Sequence, residues 1–501
     1  MTSFRKLGTN SAIYVATSLM QKCATFLLMP LYTRYLDPAA YGTLAIVTAV
    51  NGFFSIAFTL GLTGAITRFY FEYQHDPDTL AEFWGTIVTF IVLLSLVLGA
   101  VLLLFGEPLL RPFIGNVAFW PYMALGIITT FFQPFFTTFL ILLQTRNQAA
   151  QYAVMSIANF LVTTALTIAL VVFLHWGVTG ALVATLLAAV IFFALSIYVL
   201  RSELKFCLKW RHLREAFTYS LPQVPHSLAS QTTAMADRMI VNSKLGPTAA
   251  GLYSVGGMIS MAVEVAAFGV NRAYVPLSMS ALKSGDPLQL ARLRVIGALV
   301  VVGFCLVGTG IAAFGPEIVR LLTAPGFAGA ATVIPLLIFA GVGSAIYYVL
   351  VSVLFFDRKA VKLLPVCTLS SAALNVTLAL SLIPSFGLMG AAVANLLAQV
   401  LATILVAVIG RRFDPVRWDY GRYVVAFCSS LALGFWASRL TLGGAIVLFA
   451  FKLGCLSALA MLLGAVLWGR PLILVDAAIQ LMRRRPDRAA ALFMPVTGTT
   501  A

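Results

Sequence analysis

The 501-residue sequence predicts an all-α integral membrane protein. About fourteen transmembrane helices are expected, as two six-helix lobes in parallel repeat plus two further C-terminal helices. Three observations carry this: an extreme composition, a succession of long apolar runs, and a self-similarity at an offset near 210 residues. Hydrophobic residues make up 61% of the chain and charged residues 10%, against roughly 25% charged in an ordinary globular protein. The runs far exceed the roughly 9–11 residues of a membrane strand, so helices are the spanning element.

The runs place spans at 10–32, 41–66, 83–105, 119–143, 151–174, 178–200, 217–241, 249–271, 293–314, 331–355, 363–383, 388–410, 423–443 and 445–468. The first is not a cleavable signal, because Gln21 and Lys22 interrupt its middle and no small-residue cleavage site follows. An even number of spans puts both termini on one side. With the N-terminus inside, inner segments hold 25 of the 33 basic residues and outer segments hold 5, which orients both termini to the cytoplasm. The same asymmetry, with attraction to anionic lipid, accounts for the +16 net charge without a nucleic acid. The six cysteines are scattered, mostly inside spans, and read as small apolar packing residues.

The repeat has three markers. Leu36, Pro38, Ala40 and Gly42 after the first span match Leu245, Pro247, Ala249 and Gly251 after the seventh. "WGVTGALVATLLAAV" from Trp176 matches "FGLMGAAVANLLAQV" from Phe386, and "LQTRNQA" before the fifth span resembles "FFDRKAV" before the eleventh. Six helices duplicated as six more give an N-lobe at 1–215, a C-lobe at 216–410, two added spans at 411–470 and a basic tail at 471–501. Parallel repeats of this kind predict a substrate site between lobes and alternating access by rocking.

Charged residues inside a bilayer should face an interior or a water-filled cavity. In the first span Asn10, Tyr14, Thr17, Ser18, Gln21 and Thr25 share one helical stripe, with Lys22 on its edge. In the seventh, Tyr219, Gln223, His226, Ser230, Thr233 and Asp237 make a second stripe, and Pro222 and Pro225 predict a kink at its start. Arg68 and Arg272 close the second and eighth spans and are equivalent in the repeat. They are either positive-inside anchors or two guanidinium groups at the inner mouth, shaped to fork a phosphate. Asp237 and Arg238 either pair locally or face the substrate. His226 is either a packing residue or a proton carrier, and Lys22 either snorkels or faces the cavity. Lys452 reads as a structural residue or lipid-facing anchor. Glu264, the only acid near mid-bilayer, is a coupling-cation candidate, with Asp237 as a second. No nucleophile motif, phosphate-binding glycine loop or metal-ligand spacing appears.

"LMPLYTRYLDPAAYGTLAIV" (28–47), "TGAITRFYF" (63–71), "ADRMIVNSKLGPTAAGLYSV" (236–255) and "FGLMGAAVANLLAQ" (386–399) resemble one branch of the multidrug/oligosaccharidyl-lipid/polysaccharide exporter (MOP) superfamily. That branch is the polysaccharide transporters, which include the Wzx-type O-antigen and exopolysaccharide flippases. The resemblance covers nearly the whole chain. It implies a MATE-like two-lobe fold and a flippase for an oligosaccharide repeat unit on undecaprenyl pyrophosphate, moved from the cytoplasmic to the periplasmic face. It also implies no cofactor, possible coupling to a proton or sodium gradient or the membrane potential, and partners among polymerases and glycosyltransferases. Arg68 and Arg272 would then take the pyrophosphate, with Lys22, Gln21, Gln223, His226, Asp237 and Arg238 toward the sugar or a gate. Two other readings stay open. A drug/cation antiporter of the superfamily usually has twelve spans and buried first-lobe acids, whereas here the first lobe's spans contain no mid-membrane Asp or Glu and two spans are added. A polymerase or glycosyltransferase needs a longer outer loop than the dozen or so residues near 106–118 and 315–330.

Overall fold

The computed structural model describes residues 28–469 apart from 202–203, 358 and 441–443, with a few positions between 13 and 26 and Ile473. About half of the first expected span, including Lys22, and the tail at 471–501 apart from Ile473 lie outside the described residues. Among the described residues, ten helices are long and apolar enough to cross a membrane. One of them, Leu364–Gly410, is two helices folded back at Gly387, whose φ is 57°. The Ser371 hydroxyl donates to the Ala398 carbonyl at 2.7 Å, a separation that a straight helix would stretch to about 40 Å.

The chain divides into two compact units, Met1–Ser254 and Val255–Ala501. The first holds α1 (Pro38–Thr59), α2 (Leu62–Tyr73), α3 (Pro77–Ile114), α4 (Ala124–Thr145), α5 (Ala149–Thr167), α6 (Gly177–Leu200), α7 (Trp210–Ser220), α8 (Val224–Leu245) and the start of α9 (Pro247–Ser284). The seventh-span segments therefore belong to the first unit, because α8 packs on α1 and α3. Helix starts follow from Asp–Pro pairs. Asp37 caps α1 by accepting from the Ala40 amide at 2.7 Å, and Asp76 caps α3 by accepting from the Thr79 amide at 3.2 Å.

The two copies of the first repeat marker meet each other. A Cβ on Gly42 would lie 1.9 Å from the Pro247 carbonyl oxygen, and one on Gly251 would lie 2.0 Å from that of Pro38. The contact is reciprocal, and only glycine admits it.

The second expected span, 41–66, is broken: Leu60 and Gly61 both adopt left-handed backbone (φ 47° and 67°) between α1 and α2. Its repeat equivalent, α9, runs unbroken for 38 residues, or about 57 Å. Twenty-six residues separate Gly42 from Arg68 but only 21 separate Gly251 from Arg272, so the first copy carries five extra residues where its helix breaks. Past α6, the strap 204–209 lies on α3. The Lys205 amide donates to the Ala81 carbonyl at 3.2 Å, and the Lys205 and Lys209 ammonium groups each reach a carboxylate, Asp78 and Glu82, at 2.6 Å. Gly85 clears the way, since a Cβ there would meet the Lys205 carbonyl.

The second unit holds the rest of α9, α10 (Pro287–Ala313), α11 (Gly315–Leu322), α12 (Ile334–Phe356), α13 (Leu364–Gly410), α14 (Tyr420–Ser438) and α15 (Ala445–Trp468). α12 is its central helix, packed against α10, α13 and α14. Of the cysteines, Cys305 and Cys367 are buried, whereas Cys428 is exposed and does not serve packing.

Lys452 on α15 is 1% exposed. Its ammonium is 2.7 Å from the Glu317 carboxylate on α11 and lies over the Phe314 ring, so it is structural rather than lipid-facing. Glu317→Gln leaves a fully buried ammonium without its counter-ion and is expected to cost about 3–5 kcal/mol. Lys452→Met is expected to cost less, because the Glu317 side chain keeps 38% of its surface exposed. Combining Glu317→Gln with Lys452→Met should restore most of the loss in thermal unfolding of detergent-solubilised protein. A double variant no better than Glu317→Gln alone would contradict the pairing.

Candidate functional site

Polar groups of the first unit gather at two levels. At the first level, α2 and α7 run antiparallel. The Tyr73 hydroxyl donates to Glu215 at 2.7 Å, and the Phe69 and Tyr219 rings meet edge to face. Burial works against the Glu215 carboxylate, but the Tyr73 hydroxyl and Arg211 outweigh it and hold the group below the usual carboxylate range.

Beyond α7 the chain passes through a tight 3-10 turn at Leu221–Gln223 before α8 begins. Pro222 and Pro225 deny backbone donors there, so the expected kink falls at that turn. A Cβ on Gly64 would lie 3.7 Å from the Tyr219 ring and 3.9 Å from the Gln223 side-chain oxygen. Arg68 stands four residues on, on the same face of α2. Arg68, Tyr219 and Gln223 are all exposed, so one polar rim unites them.

Two residues on this rim escaped the sequence reading. The Thr67 and Thr145 hydroxyls bond at 3.1 Å and tie α2 to the end of α4; the adjacent Arg146 guanidinium lies 4.8 Å from the Trp84 ring centre. Thr67 and Thr145 are 78 residues apart, and nothing local relates them. The only available signal was that Arg146 sits inside a repeat marker.

The second level lies fourteen residues further along, about 21 Å from Gln223. Asp237 is 4% exposed and accepts from the Tyr253 hydroxyl at 3.0 Å, so it faces the interior of its own unit. Asp237 is thus buried whereas Tyr219 and Gln223, at the other end of the expected stripe, are exposed. Arg238 is half-buried and, one residue on, does not share the Asp237 face. Asn242 anchors this end by donating to the Ile114 carbonyl at 2.6 Å. His226 lies in α8, and Gln21 is helical and half-buried.

In the second unit, Arg272 is exposed, with its guanidinium 4.8 Å from the Phe268 ring centre. It does not close its span, since α9 continues for twelve more residues. Glu264 lies near the middle of α9 and is exposed rather than enclosed in its unit; its Cγ would be 3.5 Å from a Cβ on Gly341. Among the described residues no group of three His, Cys, Asp or Glu side chains is placed to hold a metal ion.

Residues 7–282 match the family model described as polysaccharide biosynthesis protein. "Lsg locus putative protein 1" of Haemophilus influenzae is 26% identical over 284 residues, 56% of this chain and 67% of that protein. An "uncharacterized membrane protein" of the same organism is 26% identical over 283 residues, 55% and 66%. The matched region thus spans about two thirds of each relative. Among solved structures, the lipid II flippase MurJ in an inward closed conformation aligns over 91% of this chain and 98% of its own, with TM-score 0.69 and 12% identity. An inward-facing multidrug resistance MATE family transporter of the MOP superfamily aligns over 78% and 95%, with TM-score 0.57 and 17% identity. At these identities the likeness is one of fold: a multi-pass membrane transporter architecture.

Proposed function

The chain belongs to the polysaccharide biosynthesis protein family, and on that premise we propose that it is a lipid-linked oligosaccharide flippase of the MOP superfamily. It takes a repeat unit on undecaprenyl pyrophosphate at the cytoplasmic face of the inner membrane and delivers it to the periplasmic face for O-antigen, capsule or exopolysaccharide assembly. The family match carries this reading, and the MOP fold supports it.

The physics of the cargo fits the residues. Each sugar hydroxyl stripped of water without a partner costs about 2–7 kcal/mol, which a polar rim such as Tyr219 and Gln223 offsets. Arg68 and Arg272 are the groups proposed to meet the phosphates, with Lys22, Gln21 and His226 lining the glycan path. Arg238 and the Asp237–Tyr253 pair stand toward the outer end. Two negative charges moving outward across 100 mV, inside negative, gain about 4.6 kcal/mol, so the potential favours delivery. Resetting the emptied carrier then falls to a coupling cation, for which exposed Glu264 is the leading residue.

Deletion of the gene tests the role in the cell. Lipid-linked repeat units should accumulate and stay protected from an impermeant glycan-modifying reagent in spheroplasts. Complete units that are open to the reagent but unpolymerised would mean a polymerase. An unchanged pool with altered drug sensitivity would mean an antiporter.

A further inference from the structure

The loop that joins α13 to α14 is built more rigidly than its position requires. The Arg294 guanidinium on α10 clasps the Val416 carbonyl with two bonds, at 3.0 and 2.5 Å. The Asp414 carboxylate accepts from the Val416 amide at 2.8 Å, the Trp418 amide at 3.2 Å and the Tyr420 hydroxyl at 3.2 Å. Val416 and Trp418 are both buried, and Gly297 lets the indole lie flush on α10. Arg417 between them has φ 57° and is exposed, so the fold holds one arginine outward in a backbone conformation unusual for it. Arg411 lies over the Tyr420 ring at 4.7 Å and Arg412 is exposed beside it. Among the described residues none of these three arginines makes an ion pair. Asp414, the acid inside the loop, is occupied by its own backbone.

The arginines end an apolar stripe. Leu397, Ile404 and Val408 are exposed at helical spacing along one face of α13 and lead directly to Arg411 and Arg412. From Leu397 to Val408 the stripe rises about 16 Å, against roughly 15 Å for one leaflet of a 30 Å hydrocarbon core.

We propose that the 411–417 loop is a headgroup site for an anionic phospholipid, whose acyl chain lies along Leu397, Ile404 and Val408 while Arg411, Arg412 and Arg417 hold its phosphate. A lipid is the favoured occupant because the cationic cluster and the apolar stripe are continuous and match the dimensions of one leaflet. An acidic protein would meet the arginines but has no use for the stripe. The site is independent of the transported glycan.

The test is native mass spectrometry of the purified full chain with phosphatidylglycerol and phosphatidylcholine in equal amounts. Wild type should retain phosphatidylglycerol preferentially. The triple variant Arg411→Gln/Arg412→Gln/Arg417→Gln should lose about a hundredfold in that preference, from roughly fivefold per arginine near an anionic surface. Leu397→Gln/Val408→Gln should weaken both lipids while leaving the preference in place. Unfolding temperature in detergent checks that each variant is folded. A folded triple variant with wild-type preference overturns the site. So does a wild type that binds both lipids equally, which would leave the arginines to an acidic protein.

Discussion

Arg68→Ala combined with Arg272→Ala is expected to abolish outward transfer of lipid-linked oligosaccharide while leaving wild-type amounts of folded protein in the membrane. Both side chains are exposed and, among the described residues, neither makes an ion pair. Their removal therefore orphans no partner, and the stacking of Arg272 on Phe268 accounts for only about 0.5–1 kcal/mol. A charge-assisted hydrogen bond contributes about 1.5–3 kcal/mol, so each single change should slow transport about tenfold and the pair a hundredfold or more. Lysine at either place should recover part of the rate, since it keeps the charge but not the bidentate fork. The readout is surface polysaccharide together with protein abundance. Normal polysaccharide from a double variant at normal abundance would remove both arginines from the site.

Gly42→Ala or Gly251→Ala is expected to act differently, by lowering the amount of folded protein. A Cβ at either position would sit about 2 Å from a backbone carbonyl of the other repeat copy, and a backbone atom has no rotamer by which to move aside. Overpacking of this kind costs about 1–3 kcal/mol and often more where backbone must shift. Gly257→Ala, with nothing within 4 Å of its Cβ, is the control and should be neutral or slightly stabilising. Thermal unfolding in detergent and membrane abundance would both register the difference. Unchanged values for Gly42→Ala would mean that the reciprocal contact does not hold the two markers together.

Much of the architecture could be read from the sequence because hydropathy reports what the bilayer demands. The helices over 83–105, 178–200 and 445–468 fall where apolar runs placed them, and the self-similar turns at Pro38 and Pro247 prove to touch. What hydropathy could not show are features that leave the apolar run intact. The break at Leu60–Gly61 sits inside a continuous apolar stretch, and α9 continues past Arg272 because Ala273, Tyr274 and Val275 still suit a helix. The burial of Asp237 was not legible either, because its partner Tyr253 lies on a different helix. Long-range partners were invisible altogether: Lys452 with Glu317, and Thr67 with Thr145, depend on packing between helices far apart in the chain. Arg68 and Gln223 were legible as polar residues at one end of their spans. Their meeting on a single rim follows from the antiparallel packing of α2 on α7.

The most direct test of the central claim uses purified protein in proteoliposomes carrying an undecaprenyl-pyrophosphate oligosaccharide labelled on its sugar, with an impermeant glycan-modifying reagent outside. Without protein, only the outer-leaflet half of the label should react. With the wild-type protein and an imposed membrane potential, the reactive fraction should move away from one half, and Arg68→Ala/Arg272→Ala should return it to the protein-free value. A wild-type reactive fraction that stays at one half, whatever the potential or ion gradient, would contradict the flippase account.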